Sequence, residues 1–217
     1  MLSLFGSVFQ FGLLTFTSIF FLVDPFAAIP TFLVITAGDD AAERRKTAKT
    51  AALTCALVLA GFALAGSLIF RLFGITIVAF KIAGGVILML IGLDMLRARR
   101  SPTKETIDET REGAEKENAG IIPLGIPMLA GPGSISTVMV LVGQSSEWWQ
   151  TAIICVTVVI TAAVSYWILA GADRVRRYLG ETGSRVLTRL MGLLLTAIAV
   201  QFVLNGLADL GVVKPAK

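Results

Sequence analysis

Phe20-Phe21-Leu22-Val23-Asp24-Pro25-Phe26-Ala27-Ala28-Ile29-Pro30 puts a carboxylate and two prolines inside an apolar run that extends from Val8 to Ala37. The run is too long for one straight helix across a bilayer, which takes roughly 20 residues. A carboxylate at the bilayer centre costs roughly 2.5–3.5 kcal/mol on insertion scales. Proline inside a helix removes a backbone donor and clashes with the preceding turn. Both penalties fall at one place, so the segment must be built to absorb them. Asp followed by Pro reads as an N-cap followed by the first helical position. The first helix is therefore expected to break near Leu22–Asp24. A second half-helix then starts at Pro25, with Asp24 capping its free amides and lining a site.

Five more apolar runs follow: Thr50–Phe70, Ile75–Leu96, Ile121–Val142, Thr151–Ala172 and Val186–Ala208. Each has the length of one membrane-spanning helix. None alternates as a strand would, which excludes a membrane β-barrel. Composition agrees. Of the 217 residues, 55% are hydrophobic and 16% charged, against about 45–50% and about 25% in an average soluble domain. An ordinary soluble enzyme is thereby excluded. The chain has no histidine, which removes His-based triads, most zinc sites and His proton relays. No metal ligand set or cofactor motif is present, and the phosphate-loop, HExxH, GxSxG and GxGxxG signatures are missing. Cys55 and Cys155 each lie within an apolar run and read as small core residues. The first Lys or Arg is Arg44, so no cleavable signal peptide with a basic start is expected.

The net charge is +4, and its placement gives an orientation. Arg44, Arg45, Lys46 and Lys49 precede the second run. Arg97, Arg99, Arg100, Lys104, Arg111 and Lys116 follow the third. Arg174, Arg176, Arg177, Arg185 and Arg189 cluster between the fifth and sixth. These alternate connections hold 15 of the 19 basic residues. The second connection has only Arg71. The fourth has none, but carries Trp148 and Trp149, suited to a membrane interface. The positive-inside rule puts the basic connections in the cytoplasm and both termini outside. A nucleic-acid face is a poor rival, because these charges flank apolar spans.

The one long polar stretch, about 99–119, reads as a solvated cytoplasmic linker. It divides the chain into two halves, about 1–98 and 120–217. Pro25 matches Pro132, Lys81-Ile-Ala-Gly84 matches Arg189-Leu-Met-Gly192, Leu64-Ala-Gly66 matches Leu169-Ala-Gly171, and Phe73-Gly74 matches Leu179-Gly180. The offsets lie between 105 and 108. Three spans per half is odd, so the second half must cross in the opposite sense. The expected fold is an all-α integral membrane protein of six helices, forming two inverted three-helix repeats in a single transmembrane domain.

The fourth run carries the counterpart of the Asp24-Pro25 step. Ile121-Ile-Pro123-Leu-Gly125-Ile-Pro127-Met-Leu-Ala-Gly131-Pro132-Gly133-Ser134-Ile-Ser136-Thr137 cannot form a regular helix. Pro132 again suits the first position of a half-helix, with the Ser134, Ser136 and Thr137 hydroxyls in its opening turns. A half-helix N-terminus carries about +0.5 charge and attracts anions. The candidate substrate site is therefore Asp24, Pro25, Gly131, Pro132, Gly133, Ser134 and Thr137. Lys81, about two turns into the third span, either neutralises Asp24, meets a substrate carboxylate or snorkels to the interface. Gly84, Gly85 and Gly192 read as close-packing positions. Asp94 reads as interfacial, and Gln201 and Asn205 as polar positions of the last span.

These stretches resemble the MarC family of bacterial inner-membrane proteins. The likeness runs through Phe21–Thr36, Arg44–Ala48, Phe73–Leu96 and Ile122–Thr137 and covers most of the chain. The family usually has Gly-Asn where this chain has Ala27-Ala28, and Arg where it has Lys81. The resemblance implies six membrane helices with both termini outside and kinship with LysE-type exporters. It also implies, for some members, transport of small neutral amino acids such as glycine and alanine. A zwitterion fits the site read from the residues: half-helix ends for its carboxylate, Asp24 for its ammonium.

The expectation is a secondary transporter working by alternating access, with a neutral amino acid as substrate and the lipid bilayer as surroundings. Asp24 is the candidate for coupling to H+ or Na+. No cofactor and no nucleic acid enter, and an oligomer is compatible with the sequence. The competing classes are an oligomeric channel, whose breaks would line a pore, and a membrane scaffold with no flux.

Overall fold

The computed structural model describes residues 2–97 and 119–213. The polar linker expected at 99–119 lies, but for Ala119, outside the described residues. Those described form helices and turns, with no strand among them.

The first apolar run folds as α1 (Leu2–Val23) and α2 (Pro25–Ile35). Asp24 sits between them at φ 47°, in the left-handed region, where Asp is among the few tolerated non-glycine residues. Its amide closes the last bond of α1 on the Phe20 carbonyl at 3.0 Å, and its Oδ1 accepts from the Ala27 amide at 3.3 Å. Pro25 occupies the first position of α2, where the missing N–H costs nothing. Thr36 ends α2, its hydroxyl donating to the Phe32 carbonyl at 2.8 Å.

α3 (Ala41–Phe73) starts at Asp40, whose Oδ1 accepts from the Ala42 and Glu43 amides at 2.7 and 2.8 Å. It stops at Gly74, at φ 62°, a left-handed cap suited to glycine. Thr76 caps α4 (Ile77–Leu96) through the Ala79 amide at 3.1 Å.

The fourth run departs most from a helix. Gly120–Leu129 forms a hook in which Ile122 (φ −127°, ψ 125°) and Ile126 (φ −133°, ψ 127°) are extended, each preceding a cis proline. α5 (Pro132–Gln144) follows, bent 58° from the hook. α6 (Trp148–Ala170) is entered through Gln150, whose Oε1 accepts from the Ser146 and Glu147 amides at 2.8 and 3.2 Å. α7 (Ala172–Asp209) turns at Gly180, at φ 61° and ψ −176°.

Five segments are long and apolar enough to cross a membrane: Gly6–Ile35, Ala41–Gly66, Ile77–Leu96, Trp148–Ala170 and Arg185–Asp209. The hook with α5 makes a sixth if that bent pair is one span. Their outer faces are apolar and exposed, as at Leu57 in α3 and Leu193 in α7.

Two cores organise the bundle. The larger joins α2, α3, the hook and α6 around Phe32, Leu59, Leu124, Leu129 and Ile154. The smaller joins α4 and α7 around Leu88, Ile91, Met95, Leu195 and Ala199, with Leu22 from α1. α4 and α7 share the most extensive contact between elements, and glycines make it close. A Cβ on Gly92 would come within 3.0 Å of the Gly192 carbonyl oxygen, and one on Gly85 within 2.9 Å of that of Ala199. The hook lies equally close on α3: a Cβ on Gly120 would stand 2.8 Å from the Thr47 carbonyl oxygen, and one on Gly125 2.6 Å from the Thr54 Cβ.

Candidate functional site

The bundle has a basic end, with Arg44, Arg97 and Arg174, and a far end, with Gln144, Trp148 and Asp209. α4 runs from the far end to the basic end, and α7 runs back. Two cavities flank this pair.

The far cavity holds about 70 Å³ and is lined by Ser18, Lys81, Thr137, Gln144, Phe202 and Asn205, with Val140 and Leu141. A single water needs about 10–15 Å³ of such space, so several fit. Four helices supply its polar groups. Lys81 is buried at 5% exposure, and its Nζ lies 2.5 Å from Asp209 Oδ2. A buried ammonium is tolerable only with such a partner. Thr137 is 1% exposed, and its Oγ1 has no hydrogen-bond partner among the described residues. Gln201 Nε2 donates to Asn205 Oδ1 at 2.7 Å, one turn apart on α7.

The basic-end cavity holds about 10 Å³, lined by Asp24, Phe26, Ala27, Met95, Leu187, Thr188 and Met191. That is space for about one water. Lys81 and Met95 mark the two cavities on α4 and stand 14 residues apart, about 21 Å along the axis. Between them lie buried Leu22, Leu88, Ile91 and Leu195.

The sequence-derived site is thus divided. Asp24 and Pro25 are buried where α1 gives way to α2, with Asp24 at the basic-end cavity. Lys81 and Thr137 meet in the far cavity. Gly131, Pro132, Gly133 and Ser134 line neither. Neither cavity brings the starts of α2 and α5 together. Gly131 caps α5 in an extended conformation, and a Cβ there would stand 2.6 Å from the Pro127 carbonyl oxygen. Pro132 takes the first helical position. Gly133 admits Leu88, whose Cδ2 lies 2.7 Å from where a Cβ would be. The Ser134 hydroxyl reaches the Leu129 and Gly131 carbonyls at 2.9 and 3.0 Å, satisfying the end of the hook. Of the alternatives for Lys81, the structure gives it Asp209 as counter-ion rather than Asp24.

Sequence reasoning does not single out Ser18, Gln144, Thr188 or Asp209. Asp209 is the last acid before the C-terminus, and its separation from Lys81 hides the pairing. Small residues spaced by seven, Gly85 and Gly92 against Gly192, Ala199 and Gly206, are the signal that sets α4 beside α7. No group of three His, Cys, Asp or Glu side chains able to hold a metal occurs among the described residues.

Comparison with known proteins bears on the whole chain. The family described as MarC family integral membrane protein matches residues 9–210. A UPF0056 membrane protein of Methanocaldococcus jannaschii is 39% identical over 198 residues, covering 91% of this chain and 96% of the relative. The UPF0056 membrane protein YvbG of Bacillus subtilis is 36% identical over 201 residues, 92% and 95% of the two chains. YhcE of Escherichia coli, also a UPF0056 membrane protein, is 35% identical over 192 residues, 88% and 89%. None of these names states a substrate. No solved structure matches the chain.

Proposed function

The chain belongs to the MarC family of integral membrane proteins, and from that premise we propose that it is a secondary transporter, not an enzyme, moving small neutral amino acids by alternating access. One observation carries this reading. The offset of 107 that relates Pro25 to Pro132, one less than that between the Lys81 and Arg189 stretches, takes Lys81 to Thr188 and Met95 to Phe202. Lys81 and Phe202 line the far cavity, and Met95 and Thr188 the basic-end cavity. Two lining positions of each cavity, one from each half, thus have their counterparts in the lining of the other. A cavity at each end, the two separated by Leu88, Ile91 and Leu195, suits alternating access between inverted repeats.

Helix contacts support the same symmetry. α1 packs on α6 as the hook packs on α3, and α2 on α6 as α5 on α3, while α4 with α7 and α3 with α6 are self-matching pairs. In this reading the repeats are residues 1–98 and 120–217, each opening with a broken helix. The basic end is cytoplasmic, and both termini lie outside the inner membrane. Asp24 beside the basic-end cavity is the site for H+ or Na+ coupling.

The test uses purified protein in liposomes preloaded with alanine. Uptake of labelled alanine, glycine and serine is followed with and without H+ and Na+ gradients, for wild type and Asp24→Asn. The expected result is saturable counterflow, with gradient dependence lost in folded Asp24→Asn. Non-saturable flux would mean a channel. Absence of flux for every amino acid under every gradient would leave only the fold.

A further inference from the structure

We infer that the far cavity is a carboxylate-binding site in which Lys81 exchanges an internal carboxylate, that of Asp209, for one carried by a small solute. The inference rests on the transport reading but names a recognition element that reading does not assign. Lys81 is the fixed member of the pair, its side chain 6% exposed, whereas the Asp209 side chain is 43% exposed. A buried ammonium always needs an anion, but a half-exposed carboxylate can leave for water at little cost. Asp209 is also held weakly by its own helix. It is the last residue of α7, where the helix dipole places partial negative charge and disfavours an anion. Its position is explained by Lys81, not by α7.

The cavity offers the incoming carboxylate a second contact. An ammonium has three donors, and a carboxylate has two oxygens. The Thr137 hydroxyl is buried at 1% exposure, lacks a partner among the described residues and lines the same cavity. A buried hydroxyl without a partner is costly, and a bound carboxylate oxygen would relieve that cost. Lys81 then supplies the charge and Thr137 the direction. Asp209, released, closes the exchange when the solute leaves. An empty carrier locked by its own ion pair and opened by its substrate is the expected behaviour of the far end.

The test measures binding of acetate, alanine and ethylammonium to the full chain in detergent, by thermal shift at constant ionic strength in chloride. Acetate and alanine are expected to bind saturably, and ethylammonium not. Asp209→Asn removes the competing carboxylate and should bind acetate at least tenfold more tightly. Thr137→Val keeps shape and fold, with an unchanged or raised melting temperature, and should bind acetate about tenfold more weakly. Lys81→Met should lose binding. If Lys81→Met does not fold, the Thr137→Val and Asp209→Asn results decide. Acetate binding to Asp209→Asn no tighter than to wild type, or to Thr137→Val as to wild type, overturns the site. Binding without counterflow would uphold this site and sink the transport reading. Counterflow unaffected by Thr137→Val and Asp209→Asn would do the reverse.

Discussion

Arg44 ties the two halves together at the basic end: its Nη1 lies 2.6 Å from Asp173 Oδ2, while its Nε donates to the Thr36 carbonyl at 3.0 Å. One guanidinium thus holds the end of α2 and the start of α7. The pair is partly exposed, at 25% and 53% for the two side chains, and such pairs contribute about 0–1 kcal/mol. Asp173→Asn should therefore lower stability by less than about 1 kcal/mol. Arg44→Gln also strips the Thr36 carbonyl and should cost about 1 kcal/mol more. Unfolding of each variant in mixed micelles measures the difference. Equal losses would show that the carbonyl contact contributes nothing.

Asp24 combines a cap, a left-handed backbone and a charge, and substitutions separate them. Asn keeps the cap and tolerates φ 47°, so Asp24→Asn should stay within about 1 kcal/mol of wild type. Asp24→Ala loses the cap and strains the backbone, and should cost about 2–3 kcal/mol. The ranking is read from thermal melts in detergent. An Ala variant as stable as the Asn variant would mean that the Ala27 contact is dispensable.

The α4–α7 seam predicts a contrast between glycines. A Cβ on Gly192 would meet the Leu96 amide nitrogen at 2.7 Å and the Gly92 carbonyl oxygen at 2.9 Å. Backbone cannot yield as a side-chain tip can, so Gly192→Ala should destabilise by about 1–3 kcal/mol. Gly61, mid-α3, has nothing within 4 Å of where a Cβ would stand. Gly61→Ala should be neutral or stabilise by up to about 1 kcal/mol, through helix propensity. Measuring both under one denaturant removes general effects of the micelle.

Orientation is checked by thiol labelling in intact cells. Ser146→Cys, at the far end, should react with a membrane-impermeant maleimide at least tenfold faster than Gly38→Cys, at the basic end, with the parent carrying Cys55 and Cys155 as background. The opposite ratio would invert the topology derived from the arginines.

Much of this architecture is legible in the sequence because its causes are local. Apolar run length marks the spans, and Asp24-Pro25 and Gly131-Pro132 mark helix starts through capping and the missing proline amide. The alternation of the connections rich in arginine, at Arg44, Arg97 and Arg174, with connections that hold at most one basic residue distinguishes the two ends. What escapes depends on distant partners. The sequence leaves Lys81 open between an internal partner and the interface and does not point to Asp209, because that pairing exists only once α4 and α7 cross. Ser134 reads as free to meet a ligand, since nothing local reveals that the hook presents the Leu129 and Gly131 carbonyls to it. Thr137 belongs to the site by its position in α5, but its neighbours Ser18 and Asn205 come from other helices.

The hook also gives the chain a direction of assembly. Pro123 and Pro127 bring no backbone N–H to the hook, so carbonyls there need protein around them, because lipid offers nothing. Their shelter is α3, closely apposed at Gly120 and Gly125, which leaves the ribosome first. Synthesis in the natural order therefore delivers the shelter before the segment that needs it. A permuted gene beginning at the second half would present the hook to the translocon with no α3 to receive it, and that chain should be degraded where the natural one accumulates.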